Sequence, residues 1–299
     1  MLDIRLIREN PELVRQALEK RGDSFALDSI LEIDGRYRSL LRQTEELRAK
    51  HNEASKQLSK SKEKPPQLIA QMRQLGEQIS SLQQQTKEAK ANLDSLLLEL
   101  PNIPHPSVPL GRGAADNVVV RTWGKPRELS FKPLPHWELG EKLGIIDFQR
   151  GVKLSGTRFY VLKGLGAHLQ RALISFMLNV HVNEHGYKEI YPPFMVKREC
   201  MVGSGNLPKF GDNLYHDEED DFWFIPTAEV PLTNLHRDEI LSADSLPLHY
   251  VAYTPCFRRE KMAAGTDTRG IKRGHQFDKV ELYKVTVPES SDEELEKLV

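Results

Sequence analysis

Cysteine is nearly missing from this chain of 299 residues: only Cys200 and Cys256 occur, far apart and neither in a CxxC pair. Two thiols cannot make a four-ligand zinc site by themselves and offer no disulfide scaffold, which points to a reducing compartment. An excess of positive charge is also lacking. The formal net charge of −1 excludes a protein that coats nucleic acid by bulk charge, so any RNA contact must come from a local patch. No run of eighteen apolar residues exists, and the opening MLDIRLIREN is charged within its first five residues. Neither a membrane span nor an export signal fits, and a soluble cytosolic protein is expected. The phosphate-binding signatures of parallel sheets are missing too, since no Walker lysine loop and no GxGxxG follows a strand-like segment.

What is present falls into two segments. Residues 10–21 read as a short helix, with Asn10 to cap it, Pro11 in its first turn and Gly22 after its end. From residue 28 a heptad follows. Ile30, Tyr37, Thr44, His51 and Leu58 interleave with Ile33, Leu40, Leu47 and Ala54. After the break SKSKEKPP, the positions Leu68, Met72, Leu75, Ile79, Leu82, Thr86, Ala89, Leu93, Leu96 and Leu100 continue in steps of four and three. Two seams around so short a break predict one antiparallel helical hairpin over about residues 28–100. Such a hairpin serves equally as a dimerising or spacer coiled coil. Residues 36–64, however, hold nine Lys and Arg against four Glu, a local +5 that includes Arg42, Arg48, Lys56, Lys62 and Lys64. That excess suits an RNA backbone, although a charge run is also what a solvated face looks like.

Past the proline-rich LPNIPHPSVP the pattern becomes mixed. GTRFYVLKG, KEIYPPFMV, LPLHYVAYTPCFRRE and HQFDKVELYKVTV read as strands, and GAHLQRALISFMLNVHVNEHG as an amphipathic helix closed by Gly186. Few helices separate the later strands, so the fold class expected is α+β: a helical coiled-coil hairpin and then a mixed, mainly antiparallel sheet domain. The division expected is 1–104 for the helical arm and 105–299 for the sheet domain.

Chemistry concentrates in residues 256–285. Arg258 and Glu260 are two apart and would share one face of a strand, as would Phe277 and Glu281 four apart. Between them lies a loop with Arg269, Lys272 and Arg273. Two carboxylates, a guanidinium, a ring and loop cations would suit a bent triphosphate. A surface hairpin with cross-strand ion pairs would use the same residues.

This cluster, with its DTRGIKRGHQFDKVE run, resembles motif 2 of class II aminoacyl-tRNA synthetases, and specifically that of the seryl-tRNA synthetases. VNEHGYKEIYPPFMV resembles motif 1, GSGNLPKFGDNLY and FWFIPTAEVPL the serine-site region, and the hairpin the tRNA-binding arm of that family. The resemblance runs from Met1 to about Val287 and implies an ATP-dependent serine–tRNA ligase that works through seryl-adenylate and also serylates selenocysteine tRNA. It implies L-serine, ATP and tRNA as partners, no DNA, and a homodimer through Pro192 or Pro193. Thr227, Ala228 and Glu229 would hold serine at its amino end. Arg258 would bridge the serine carboxylate and the ATP α-phosphate, and with Glu260 would carry the catalytic role. Arg259, Glu260, Arg273, Gly274 and Phe277 would hold the nucleotide, and Glu281 would receive the serine hydroxyl. The family's tRNA contacts would fall to arm cations such as Arg42, Arg48 and Lys56.

Three positions depart from the family's pattern: Arg259, Lys261-Met262 and Gly274, all bordering the expected ATP site. Motif 3, with an adenine-clamping Arg, and the ligands of Mg2+ would lie beyond Val299, so no metal ligand is expected here and residues 1–299 alone are expected to be inactive. A non-catalytic tRNA-binding relative of the synthetases is the alternative reading, and a purely structural coiled coil leaves residues 190–285 unexplained.

Overall fold

Asp3 opens the chain's first helix by accepting a hydrogen bond from the Arg5 amide at 2.8 Å. The computed structural model describes residues 1–60, 65–111, 113–261 and 269–299, in two units, Met1–Gly124 and Lys125–Val299. Within the first unit, the helix expected over 10–21 is α2 (Pro11–Arg21), and a further short helix, α1 (Ile4–Glu9), precedes it. The residue before a proline is pushed out of the helical region, so Asn10 closes α1, its amide bonding to the Leu6 carbonyl. Its side chain makes no cap for α2. Gly22, at φ +64°, ends α2 in the left-handed conformation that a glycine adopts without strain.

The hairpin follows as α3 (Leu27–Lys60) and α4 (Pro66–Glu99). Each has 34 residues, or about 51 Å at the α-helical rise. The expected seam is the buried face: Ile30, Leu40 and Ala54 on α3, Ala89 and Leu93 on α4. Thr44, a polar residue in that seam, donates its hydroxyl to the Leu40 carbonyl at 2.8 Å and so leaves no buried group unpaired. Leu97, outside the heptad, is buried as well, because Ile7, Val14 and Leu18 of α1 and α2 close the base of the hairpin around it. Asp34 is 3% exposed. It is paired with Arg38 at 2.9 Å and Arg8 at 3.6 Å. Lys62 and Lys64, counted in the basic patch, lie outside the described residues.

The second unit runs α5 (His136–Lys142), β1 (Ile146–Asp147), α6 (Phe148–Ser155), β2 (Val161–Leu162) and α7 (Leu165–Asn183). Then come β3 (Lys188–Glu189), β4 (Met195–Lys197), α8 (Arg198–Gly203), β5 (Phe222–Phe224), α9 (Glu229–Asn234), β6 (Leu248–Phe257), β7 (Gln276–Val285) and α10 (Ser291–Leu298). The main sheet has the order β3-β6-β7. β6 and β7 pair antiparallel over ten residues, and β3 joins β6 in parallel. Two small antiparallel pairs, β1-β2 and β4-β5, complete a mixed, mainly antiparallel α+β fold.

One face of the sheet carries Tyr250, Ala252, Tyr283 and Val285 and packs on Ala228 and Leu232 at α9. The other meets α7, where the Gln170 amide and the Tyr253 hydroxyl both donate to Asp278, the latter at 2.8 Å. Burial and the Asp278 charge push the Tyr253 phenol up to about 12, so it remains a donor.

Three expectations are corrected here. The GTRFYVLKG strand shrinks to Val161–Leu162, because Arg158 sits at φ +64° and breaks the extended run. KEIYPPFMV splits into β3 and β4, since Pro192 and Pro193 cannot donate to a ladder. The capping box of Ser291 and Glu294 is absent: Ser290 holds the N-cap position without a side-chain bond. Glu294 instead binds Lys284 at 2.8 Å and Lys297 at 3.0 Å.

Candidate active site

Side chains alternate across a strand, so β7 presents Phe277, Lys279 and Glu281 on one face. Their cross-strand partners on β6 are Cys256, Thr254 and Ala252, all fully buried. These three are compact and leave the space above them to the longer β7 side chains. Burial pushes the Cys256 thiol up, as expected of a thiol packed beneath the site.

The turn before α9 crosses this face. Thr227, 7% exposed, donates its hydroxyl to Glu281 Oε2 at 2.8 Å and accepts from Lys279 Nζ at 2.7 Å. Lys279 Nζ also lies 2.6 Å from Glu281 Oε2. Ala228 is buried, while Glu229, the first residue of α9, is exposed. Its backbone N–H bonds to Thr227 Oγ1 at 3.3 Å.

Arg258 lies just past the end of β6. Its Nε donates to the Pro226 carbonyl at 3.2 Å, and Cζ stands 5.0 Å above the Phe277 ring centroid. Held by Nε and over the ring, the guanidinium suits the clamping of an anion. His275 fixes the backbone below: the Arg258 N–H donates to its carbonyl at 2.9 Å, and its Nδ1 bonds to the Arg258 carbonyl at 3.0 Å.

The shared face expected for Arg258 and Glu260 does not form. The strand ends at Phe257, and Glu260 takes φ +50°, so the two-residue period no longer applies. Glu260 is nearly buried and pairs with Arg273 at 3.6 Å. Its carbonyl accepts from Arg158 Nη1 at 3.1 Å. Arg259 turns away, donating from Nε to the Leu214 carbonyl at 2.8 Å and covering the Tyr215 ring at 4.8 Å. At Gly274 the space is tight: a Cβ there would stand 3.1 Å from the Gln276 carbonyl oxygen and 3.2 Å from the Tyr160 ring. Met262 lies outside the described residues. Beside Phe277 a cavity of about 300 Å³ opens, lined also by Phe159, Tyr160, Leu162 and Ala167.

Several contributors were not foreseen from the sequence. Lys279 carried a usable signal, since it sits midway between Phe277 and Glu281 in a period-two run. Arg158 and Tyr160 carried none, being joined to residues 260 and 274 only by folding. On the arm, Arg42, Arg48 and Lys56 are all exposed on α3. Arg42 reaches Glu46 at 4.0 Å. Of the two motif 1 prolines, Pro192 is buried and Pro193 exposed.

Residues 1–104 match the family description "Seryl-tRNA synthetase N-terminal domain", and residues 212–299 match "tRNA synthetase class II core domain (G, H, P, S and T)". A serine–tRNA ligase of Dehalococcoides mccartyi is 59% identical over 299 residues, covering all of this chain and 71% of that protein. That of Thermomicrobium roseum is 58% identical over 301 residues, covering all of this chain and 68% of that protein. Among solved structures, the seryl-tRNA synthetase of Pyrococcus horikoshii complexed with ATP superposes with a TM-score of 0.89 at 41% identity, over 100% of this chain and 72% of that one. The cytoplasmic serine–tRNA ligase of Naegleria fowleri in complex with AMP gives 0.81 at 30% identity, over 99% and 69%.

Proposed function

The chain belongs to the seryl-tRNA synthetase family, and from that premise we propose which of its own residues carry each part of the reaction. The reaction is the ATP-dependent attachment of serine to tRNA by a class II aminoacyl-tRNA synthetase. One observation carries the assignment: Glu281, Lys279 and Phe277 stand in a row on one strand face, with Arg258 above Phe277. Four residues of strand span roughly 14 Å, comparable with an extended aminoacyl-adenylate. Such a ligand would lie along β7 with its hydroxyl at Glu281 and its adenine at Phe277.

In this reading Arg258 receives the serine carboxylate and the α-phosphate together. A carboxylate oxygen attacks the α-phosphorus, the bond to the leaving pyrophosphate breaks, and the guanidinium, held ready by Pro226 and Phe277, meets the charge that develops. A hydroxyl of the terminal tRNA ribose then attacks the carbonyl carbon, and AMP leaves. Glu229, exposed at the start of α9, takes the serine ammonium, with Thr227 and Ala228 shaping that end. Arg273 steadies the outer phosphates and Glu260 fixes Arg273. The Gly274 backbone follows the adenine edge, and Arg259 supports the wall at Tyr215.

Mg2+ would supply charge neutralisation at the phosphates. Among the described residues no group of three or more His, Cys, Asp and Glu could hold a metal, so none is assigned to it. Residues 1–104 serve as the tRNA arm, with Arg42, Arg48 and Lys56 on phosphates, and residues 105–299 as the catalytic part. A homodimer, formed around Pro193, is supported by the exposed stripe Leu165, Leu169, Leu173 and Phe176 on α7 and by exposed Tyr191. No helix among the described residues is long and apolar enough to cross a membrane, and the cytoplasm is the proposed location.

The test is the serine-to-alanine ratio in ATP–pyrophosphate exchange by the complete protein. A site built around a hydroxyl rejects the analogue lacking it by about 10⁴-fold or more. Glu281→Ala is expected to depress serine activation and narrow that ratio together. A variant that loses activity yet rejects alanine as strongly as before removes Glu281 from the role.

A further inference from the structure

We propose that Lys279 is a positioning residue of the hydroxyl subsite, one that orients Glu281 and supplies the donor side of serine recognition. This rests on the reading of Glu281 given above and adds a residue to it.

The hydrogen bonds already made within the site lead there. A threonine hydroxyl has one proton and two lone pairs. Thr227 gives its proton to Glu281 Oε2 and accepts from Lys279 Nζ and the Glu229 N–H. Its hydroxyl is therefore fully engaged in this structure. Glu281 Oε2 is occupied twice, by Thr227 at 2.8 Å and Lys279 at 2.6 Å, which leaves Oε1 as the open acceptor. Lys279 has three N–H donors; one is given to Thr227, and the ammonium is ion-paired with Glu281 Oε2. A ligand hydroxyl meets an acceptor and a donor side by side, and can satisfy both. A methyl group satisfies neither.

Charge adds direction. With Lys279 beside it, Glu281 presents an ion pair in place of a lone carboxylate. Among the described residues, the negative group at this end of the site that makes no ion pair is then Glu229, so a zwitterionic amino acid is steered to place its ammonium there and its hydroxyl at β7. A role in fold stability alone is a poor account of this pair. Its side chains keep 32% and 22% of their surface exposed, and partly exposed ion pairs contribute little to stability.

The experiment measures equilibrium binding of three probes to the protein: the seryl and the alanyl sulfamoyl analogues of the adenylate, and AMP. Four forms are compared: wild type, Lys279→Met, Glu281→Gln and the double variant. Lys279→Met is expected to weaken the seryl probe by about 10- to 100-fold while leaving AMP binding unchanged and the alanyl probe nearly so. In the Glu281→Gln background the same change is expected to cost little more, because the two residues act as one unit. Lys279→Arg, which keeps the charge and the donors, is expected to retain part of the preference and guards against a variant that fails to fold. Equal losses for the seryl and alanyl probes, or additive losses in the double variant, overturn the proposal. The two readings fail differently. If Glu281→Gln also leaves the seryl preference intact, the assignment of Glu281 falls. If it narrows the preference and Lys279→Met does not, only the role of Lys279 falls.

Discussion

Replacing Arg258 by lysine keeps the charge and removes the shape. The guanidinium makes a bond from Nε to the Pro226 carbonyl at 3.2 Å and stacks over Phe277 at 5.0 Å. A lysine ammonium is a point charge that cannot hold those contacts and still present two parallel donors to an anion. In the resting protein the loss is about 1 kcal/mol for the hydrogen bond and about 0.5–1 kcal/mol for the ring contact, which should lower the melting temperature by only a few degrees. In the adenylation transition state two charge-assisted bonds are at stake, each worth about 1.5–3 kcal/mol. Together they amount to about 3–6 kcal/mol, a fall in kcat/KM of roughly 10²- to 10⁴-fold. Serine-dependent ATP–pyrophosphate exchange by the complete protein, measured beside a thermal melt, separates the two effects. Arg258→Lys that exchanges within tenfold of wild type would show that a planar clamp is not needed there. An exchange loss that vanishes once the folded fraction is accounted for would reduce Arg258 to a structural residue.

Three further outcomes are expected. Ile30, with no exposed surface at the base of the arm, should cost about 2–5 kcal/mol when changed to alanine. A denaturant melt followed by helical circular dichroism that shows less than about 1 kcal/mol contradicts the core described for the arm. Changing Arg42, Arg48 and Lys56 to glutamine should weaken tRNA binding and flatten its salt dependence by about 0.7–0.9 in log–log slope for each phosphate no longer neutralised; an unchanged slope makes them a solvated face. Lys284 and then Lys297 hold the Glu294 carboxyl down at about 2, against an ordinary 4.5. Its contribution is therefore fully present above pH 4.5 and disappears as pH falls through about 2. Glu294→Gln should flatten the loss of stability across that window in urea melts, and a variant with the parent's acid slope refutes the pairing.

Local periodicity explains which parts of this protein were legible. The arm was readable because a heptad repeats every two turns of one helix, and every residue of it reports on the same buried face. β6 and β7 were readable because alternation is a property of one strand, and it placed Phe277 and Glu281 together without any knowledge of their neighbours. The same rule failed for Arg258 and Glu260, because the strand stops at Phe257 and a positive φ at Glu260 cancels the period. Leu97 escaped the heptad since its burial depends on α1 and α2 folding over the base of the hairpin. Motif resemblance carried the family and the reaction from the sequence alone, as order along the chain needs no coordinates. The partners of each site residue did need them. Thr227 meets Lys279 and Glu281 across about fifty residues, and Arg158 meets Glu260 across about a hundred. Backbone geometry dictates which face a side chain takes, whereas the groups opposite it are chosen by how distant elements pack, and only the tertiary structure decides that.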